Sequence, residues 1–165
     1  MMRVALLMGS DSDLPRLEPC LAVLKELGIA CEARVLSAHR TPAAVIRFVE
    51  EAPGRGVGVL LCAAGGAAHL AGVVSAHTDL PVIGIPIDNP PLGGLDALLA
   101  TVQMPGGVPV GTVGVGVGGP VNAALLAARI LALGDKDLAA RVARYRAAQS
   151  EKVLAKDRAL QAKLA

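Results

Sequence analysis

His39 and Arg40 lie side by side in Ser37-Ala38-His39-Arg40-Thr41-Pro42, a polar hexapeptide between an apolar run and an amphipathic one. An imidazole exchanges a proton near neutral pH, and a guanidinium keeps its charge and grips carboxylates or phosphates through several N–H donors. Together they suit an enzyme that moves protons on an anionic substrate. Two further segments set polar groups among small residues. Gly9-Ser10-Asp11-Ser12-Asp13 precedes a predicted helix, whose free N–H groups and positive dipole end suit a phosphate. It lacks the lysine of a P-loop and the spacing of a dinucleotide fingerprint, and capping the helix is the plainer use of Asp13. In Ala64-Gly65-Gly66-Ala67-Ala68-His69-Leu70 the small residues let a ligand approach the backbone. His69 there is either a structural hydrogen-bonding partner or a second functional imidazole. Arg40 likewise has a plain alternative, pairing with a surface carboxylate. His77, near a predicted helix end, reads as structural. Gln103 and Asn122 are polar islands that must find partners or line a pocket.

The elements that must position these residues follow from the hydrophobic pattern. Residues 3–8 form an apolar strand, and Leu17, Leu21, Leu24 and Leu27 make one stripe of a helix over 14–27 that Gly28 stops. A second strand over 31–36 leads into the hexapeptide. Thr41 is placed to cap a helix over 43–52, with Pro42 at its first position. The pattern predicts a strand over 58–64, a helix over 67–76, a strand over 81–86, a Pro/Gly-rich loop over 88–94 and a helix over 95–102. A fifth strand over 112–117, a helix over 121–133 and a further helix over 135–165, whole or broken, complete the chain. This alternation predicts an α/β fold, a three-layer αβα sandwich with a parallel, flavodoxin-like sheet plus a C-terminal helical extension. All three polar segments then leave the carboxyl ends of strands, the edge at which open α/β sheets bind ligands.

Composition narrows the function classes. The 165 residues make a single domain, 1–165, and a net charge of +2 gives no argument for nucleic acid. Of the 16 Lys and Arg and 14 Asp and Glu, residues 135–165 hold 8 and 4, so the last helix is moderately basic, as a solvated face would be. Between Val57 and Ala128 the only charged side chains are Asp79, Asp88 and Asp96. A small monomer covers so apolar a stretch poorly, so a homo-oligomer is expected, with the C-terminal helix on a neighbouring subunit. Glycine, proline and polar residues interrupt every apolar run short of a membrane span. Met1-Met2-Arg3-Val4 enters a strand directly, without a signal-peptide layout, and a cytoplasmic location is expected. Cys20, Cys31 and Cys62 lack metal-ligand spacing and read as small hydrophobes in a reducing compartment; no metal set is visible.

Taken in order, Gly9-Ser10-x-Ser12-Asp13, the hexapeptide 37–42, the segment 64–70, Pro81-Val82-Ile83-Gly84-Ile85-Pro86, Val102-Gln103-Met104-Pro105 and the segment 122–128 resemble the motifs of the PurE family from residue 3 to about residue 150. The resemblance implies a homo-octamer that needs neither metal nor organic cofactor. It implies a mutase of purine biosynthesis that moves a carboxylate from the exocyclic nitrogen of N5-carboxyaminoimidazole ribonucleotide to C4 of the ring. By motif, His39 is the expected general acid and base. Ser10, Asp13, Ser37 and Arg40 are expected to bind substrate, with Ser10 and Arg40 near the phosphate. Gly65, Ala67, His69 and Leu70 are expected to line the carboxylate or CO2 pocket. Ala71, the stretch 117–120 and the loop 89–94 depart from the family's usual residues; that loop is commonly small and polar. Other readings of the pattern are a carboxylase acting on aminoimidazole ribonucleotide and CO2, an FMN-binding electron carrier, and a nucleotide-binding module without turnover.

Overall fold

The computed structural model describes residues 2–164. Five parallel strands, β1 (Arg3–Met8), β2 (Cys31–Val35), β3 (Val57–Gly65), β4 (Val82–Ile87) and β5 (Gly111–Thr112), form one sheet in the order β2-β1-β3-β4-β5. Because side chains alternate along a strand, each inner strand feeds two cores. Val4, Leu6, Met8, Leu61 and Ile85 pack with α1 (Leu14–Glu26) and α5 (Gly118–Ala132). Ala5, Leu7, Leu60 and Cys62 pack on the other face with α2 (Pro42–Glu51) and α3 (Leu70–Ser75). Strands buried on both faces can be continuously apolar, which is why β3 and β4 are nearly so. Helix α4 (Leu95–Val102) lies over β4 on the α3 side.

The three-layer sandwich agrees with the sequence pattern, with local corrections. The fifth strand is two residues long rather than six. Gly114 and Gly116 leave it without side chains to pack, and Gly116, at φ 86°, turns the chain toward α5, which begins earlier than its apolar pattern suggests. Helix α3 starts at Leu70 rather than at residue 67, because Gly66 (φ 61°) still turns the chain there. The last helix, α6 (Lys136–Leu164), is unbroken over 29 residues, about 43 Å at 1.5 Å per residue; residue 165 of the predicted range lies outside the described residues. Leu138 is its one buried residue, and from Arg146 onward every described side chain is exposed.

Burial pushes the Cys20 thiol up to about 12 and Cys31 to about 11, and raises Cys62 as well. All three are protonated at neutral pH and act as packing groups. Gly84 is fixed by packing. A Cβ there would strike the γ-methyl of Thr101 and come within 3.3 Å of Val110 and 3.4 Å of Ala71. Gly84→Ala is expected to cost about 1–3 kcal/mol through overpacking, read as a lower urea midpoint with an unchanged slope.

Candidate active site

β1 is flanked by β2 and β3, and Met8 pairs with Val35 on one side and Ala63 on the other. The loops that follow these three strands therefore leave the sheet at one level. The connection from β2 to β3 steps over β1, and the crevice opens at this reversal of strand order.

Each loop is shaped by its own polar groups. In the hexapeptide, the Thr41 hydroxyl accepts the Ser37 N–H at 2.9 Å and donates to the Ser37 carbonyl at 3.1 Å. Thr41 is the N-cap residue of α2, with Pro42 at N1, yet its hydroxyl closes this turn and makes no cap bond. The Ser37 hydroxyl accepts the Arg40 N–H at 3.1 Å, and Arg40 Nη2 donates to the Gly9 carbonyl at 2.9 Å. That bond ties the loop after β2 to the end of β1. No carboxylate pairs with Arg40 among the described residues, so its remaining N–H donors face solvent at the crevice. The expected surface pairing of the plainer reading is absent there.

After β1, residues Asp11–Asp13 form a 3-10 turn that runs into α1. Asp13 occupies the N-cap position of α1 without a side-chain cap bond; Ser10 caps only the preceding 3-10 turn, accepting the Ser12 N–H at 3.3 Å. Asp13 is instead buried, at 6 % exposure. Burial raises its carboxyl above the usual 3.8, opposed by the Arg16 charge and a backbone hydrogen bond from Ser10. An acid whose native pKa is raised destabilises the fold once ionised. Asp13→Asn is therefore expected to raise Tm at pH 7. That advantage fades as pH falls through the native Asp13 pKa and is gone below about 3.8, measured by thermal melts across pH.

The third loop brings His69 to the N-cap position of α3, not inside its first turn as the pattern suggests. Its Nδ1 lies 2.8 Å from Nε2 of His39, with ring centroids 4.9 Å apart and planes at 89°. The contact needs a single proton between the facing nitrogens, because two N–H groups would repel there. Nδ1 of His39 and Nε2 of His69 have no protein partner among the described residues.

These loops enclose a cavity of about 360 Å³. Its walls include all nine residues singled out by sequence: Ser10, Asp13, Ser37, His39, Arg40, Gly65, Ala67, His69 and Leu70. Ser12 and Asn89 join them and were not assigned from sequence. Ser12 sits inside a quoted motif, its hydroxyl 2.8 Å from that of Ser10. Asn89 lies in the loop after β4, which carried no chemical signal. A larger cavity of about 750 Å³ opens at the opposite edge, where Ser75–Pro81 approach β4; His77 lines it, remote from the imidazole pair. Gln103 and Asn122 are exposed and line neither cavity. Among the described residues no group of three or more His, Cys, Asp or Glu is placed to hold a metal ion, and no helix is long and apolar enough to cross a membrane.

Fold and crevice define an open-sheet α/β protein with two facing imidazoles and an exposed guanidinium in one crevice at its strand ends. The AIR carboxylase family model matches residues 3–152. The chain belongs to this family, the PurE family. It is 50% identical over 150 residues to the N5-carboxyaminoimidazole ribonucleotide mutase of Brucella melitensis, covering 91% of this chain and 93% of that one. It is 47% identical over 151 residues to the Bacillus subtilis protein of the same name, covering 92% and 93%. The crystal structure of Treponema denticola PurE superposes with a TM-score of 0.85 at 31% identity, covering 97% of this chain and 99% of that one.

Proposed function

We propose that the chain catalyses the reaction after which these relatives are named, converting N5-carboxyaminoimidazole ribonucleotide to 4-carboxy-5-aminoimidazole ribonucleotide. The observation that carries this reading is the pair of imidazoles, facing nitrogens 2.8 Å apart, beside a guanidinium with no carboxylate partner among the described residues, in one small crevice. The chemistry asks for those groups. Protonation of the carbamate nitrogen breaks the N–C bond and releases CO2. The electron-rich C4 attacks that CO2, and loss of the C4 proton restores the aromatic ring. One proton is delivered and one recovered, so the enzyme ends as it began. His39 performs both transfers, with His69 holding its ring and sharing its proton. Arg40 and Ser10 take the phosphate, Asp13 and Ser37 complete the ribonucleotide site, and Gly65, Ala67, His69 and Leu70 confine CO2 so that proximity drives its recapture.

Product formation from fresh N5-carboxyaminoimidazole ribonucleotide, set against aminoimidazole ribonucleotide plus bicarbonate, tests the assignment. Fast use of the carbamate with feeble use of bicarbonate is expected; efficient use of bicarbonate would instead mark a carboxylase. A flavin carrier is disfavoured because no Phe or Tyr lines the crevice. Phe48 is buried with the Arg55 guanidinium 4.3 Å from its ring centre, and Tyr145 packs on the opposite core.

The proposal extends to a cytoplasmic homo-octamer. Leu95, Leu99 and Val102 of α4 are exposed, as are Val153, Leu154 and Leu160 of α6, which suits burial against other copies. Analytical ultracentrifugation is expected to show eight chains per particle.

A further inference from the structure

We propose that Asn89 is a substrate-contacting residue whose carboxamide donates a hydrogen bond to the migrating carboxylate. The assignment rests on the mutase reading and adds a specificity group to it. Asn89 lies two residues beyond the end of β4 and is partly buried on the crevice wall. Its amide packs over Gly65: a Cβ at position 65 would collide with Asn89 Nδ2 and lie 3.1 Å from its Cγ. Gly65 thus leaves the space the amide occupies, next to the residues that enclose the carboxylate or CO2. No other described residue hydrogen-bonds this carboxamide, although it sits beside the backbone of β3. A half-buried amide without an internal partner is available to a ligand, and N–H donors facing a carboxylate make a charge-assisted bond.

The loop is also held at its root. Asp88 accepts from Arg16 Nε at 2.8 Å, and Arg16 sits on α1 three residues beyond Asp13. The residue preceding Asn89 is therefore fastened to the wall that carries Asp13.

Two ribonucleotides that differ by one carboxylate isolate the contact: 4-carboxy-5-aminoimidazole ribonucleotide and 5-aminoimidazole ribonucleotide. Calorimetric titration of Asn89→Ala is expected to show the carboxylated ligand bound about 10- to 100-fold more weakly. The uncarboxylated ligand should change less than about twofold. Asn89→Asp, which sets a like charge against the carboxylate, is expected to lose more of the first and again little of the second. Thermal melts of both variants establish that the fold is intact. Equal losses for the two ligands, or none for either, would overturn the assignment and leave the mutase reading standing. A wild-type protein that binds neither ribonucleotide would overturn that reading, and this assignment with it.

Discussion

Replacing His39 with asparagine is expected to lower kcat by about two to four orders of magnitude while fold and substrate affinity persist. The size follows from what the ring supplies. Without a proton donor at the carbamate nitrogen, CO2 departs from a poor leaving group; without an acceptor, the C4 proton has no positioned base to take it. Asparagine keeps a hydrogen-bonding atom near His69 but exchanges no proton at neutral pH. The His39 side chain is exposed and contributes nothing to either core, so Tm should move by little. Single-turnover kinetics and calorimetric binding on one preparation separate the two quantities. Near-normal turnover would remove His39 from its role and shift attention to His69.

Arg40→Ala is expected to raise KM about 100-fold or more, with a much smaller fall in kcat. One guanidinium N–H is spent on the Gly9 carbonyl, and no carboxylate neutralises the charge among the described residues. Hydrogen bonds to charged groups contribute roughly 1.5–3 kcal/mol each, so two bonds from Arg40 to the phosphate, as proposed above, would account for the change. Lysine at this position should restore only part of it, because an ammonium cannot bridge to Gly9 and fork onto a phosphate together. Salt should weaken binding to the wild type more than to Arg40→Ala. An unchanged KM would place the phosphate elsewhere.

Much of this was legible in the sequence because apolar runs and the residues after them are local signals. His39, Arg40 and His69 follow strand patterns directly, and the parallel sheet gathers those strand ends into one crevice. What stayed hidden depended on competition or distance. Thr41 and Asp13 were expected to cap helices; one hydroxyl is taken by Ser37 and the other residue is buried, and nothing in a sequence ranks these partners. Residues 112–117 are rich enough in valine to look like a strand, yet their interspersed glycines leave it two residues long. Asn89 was missed for a third reason. Its significance arises only because Gly65, on a different strand, leaves room for its amide.

The imidazole separation is governed by a strand to which neither histidine belongs. β1 lies between the strands that lead into them, and Met8 meets both partners at the crevice end. It works as a spacer gauge. One residue of slippage along it would offset one loop from the other by about 3.3 Å, more than the imidazole contact could span. The irregularity that β1 does contain, between Arg3 and Val4, falls at its far end, away from the crevice. Insertions should therefore be poorly tolerated within Val4–Met8, even though none of those residues lines the crevice.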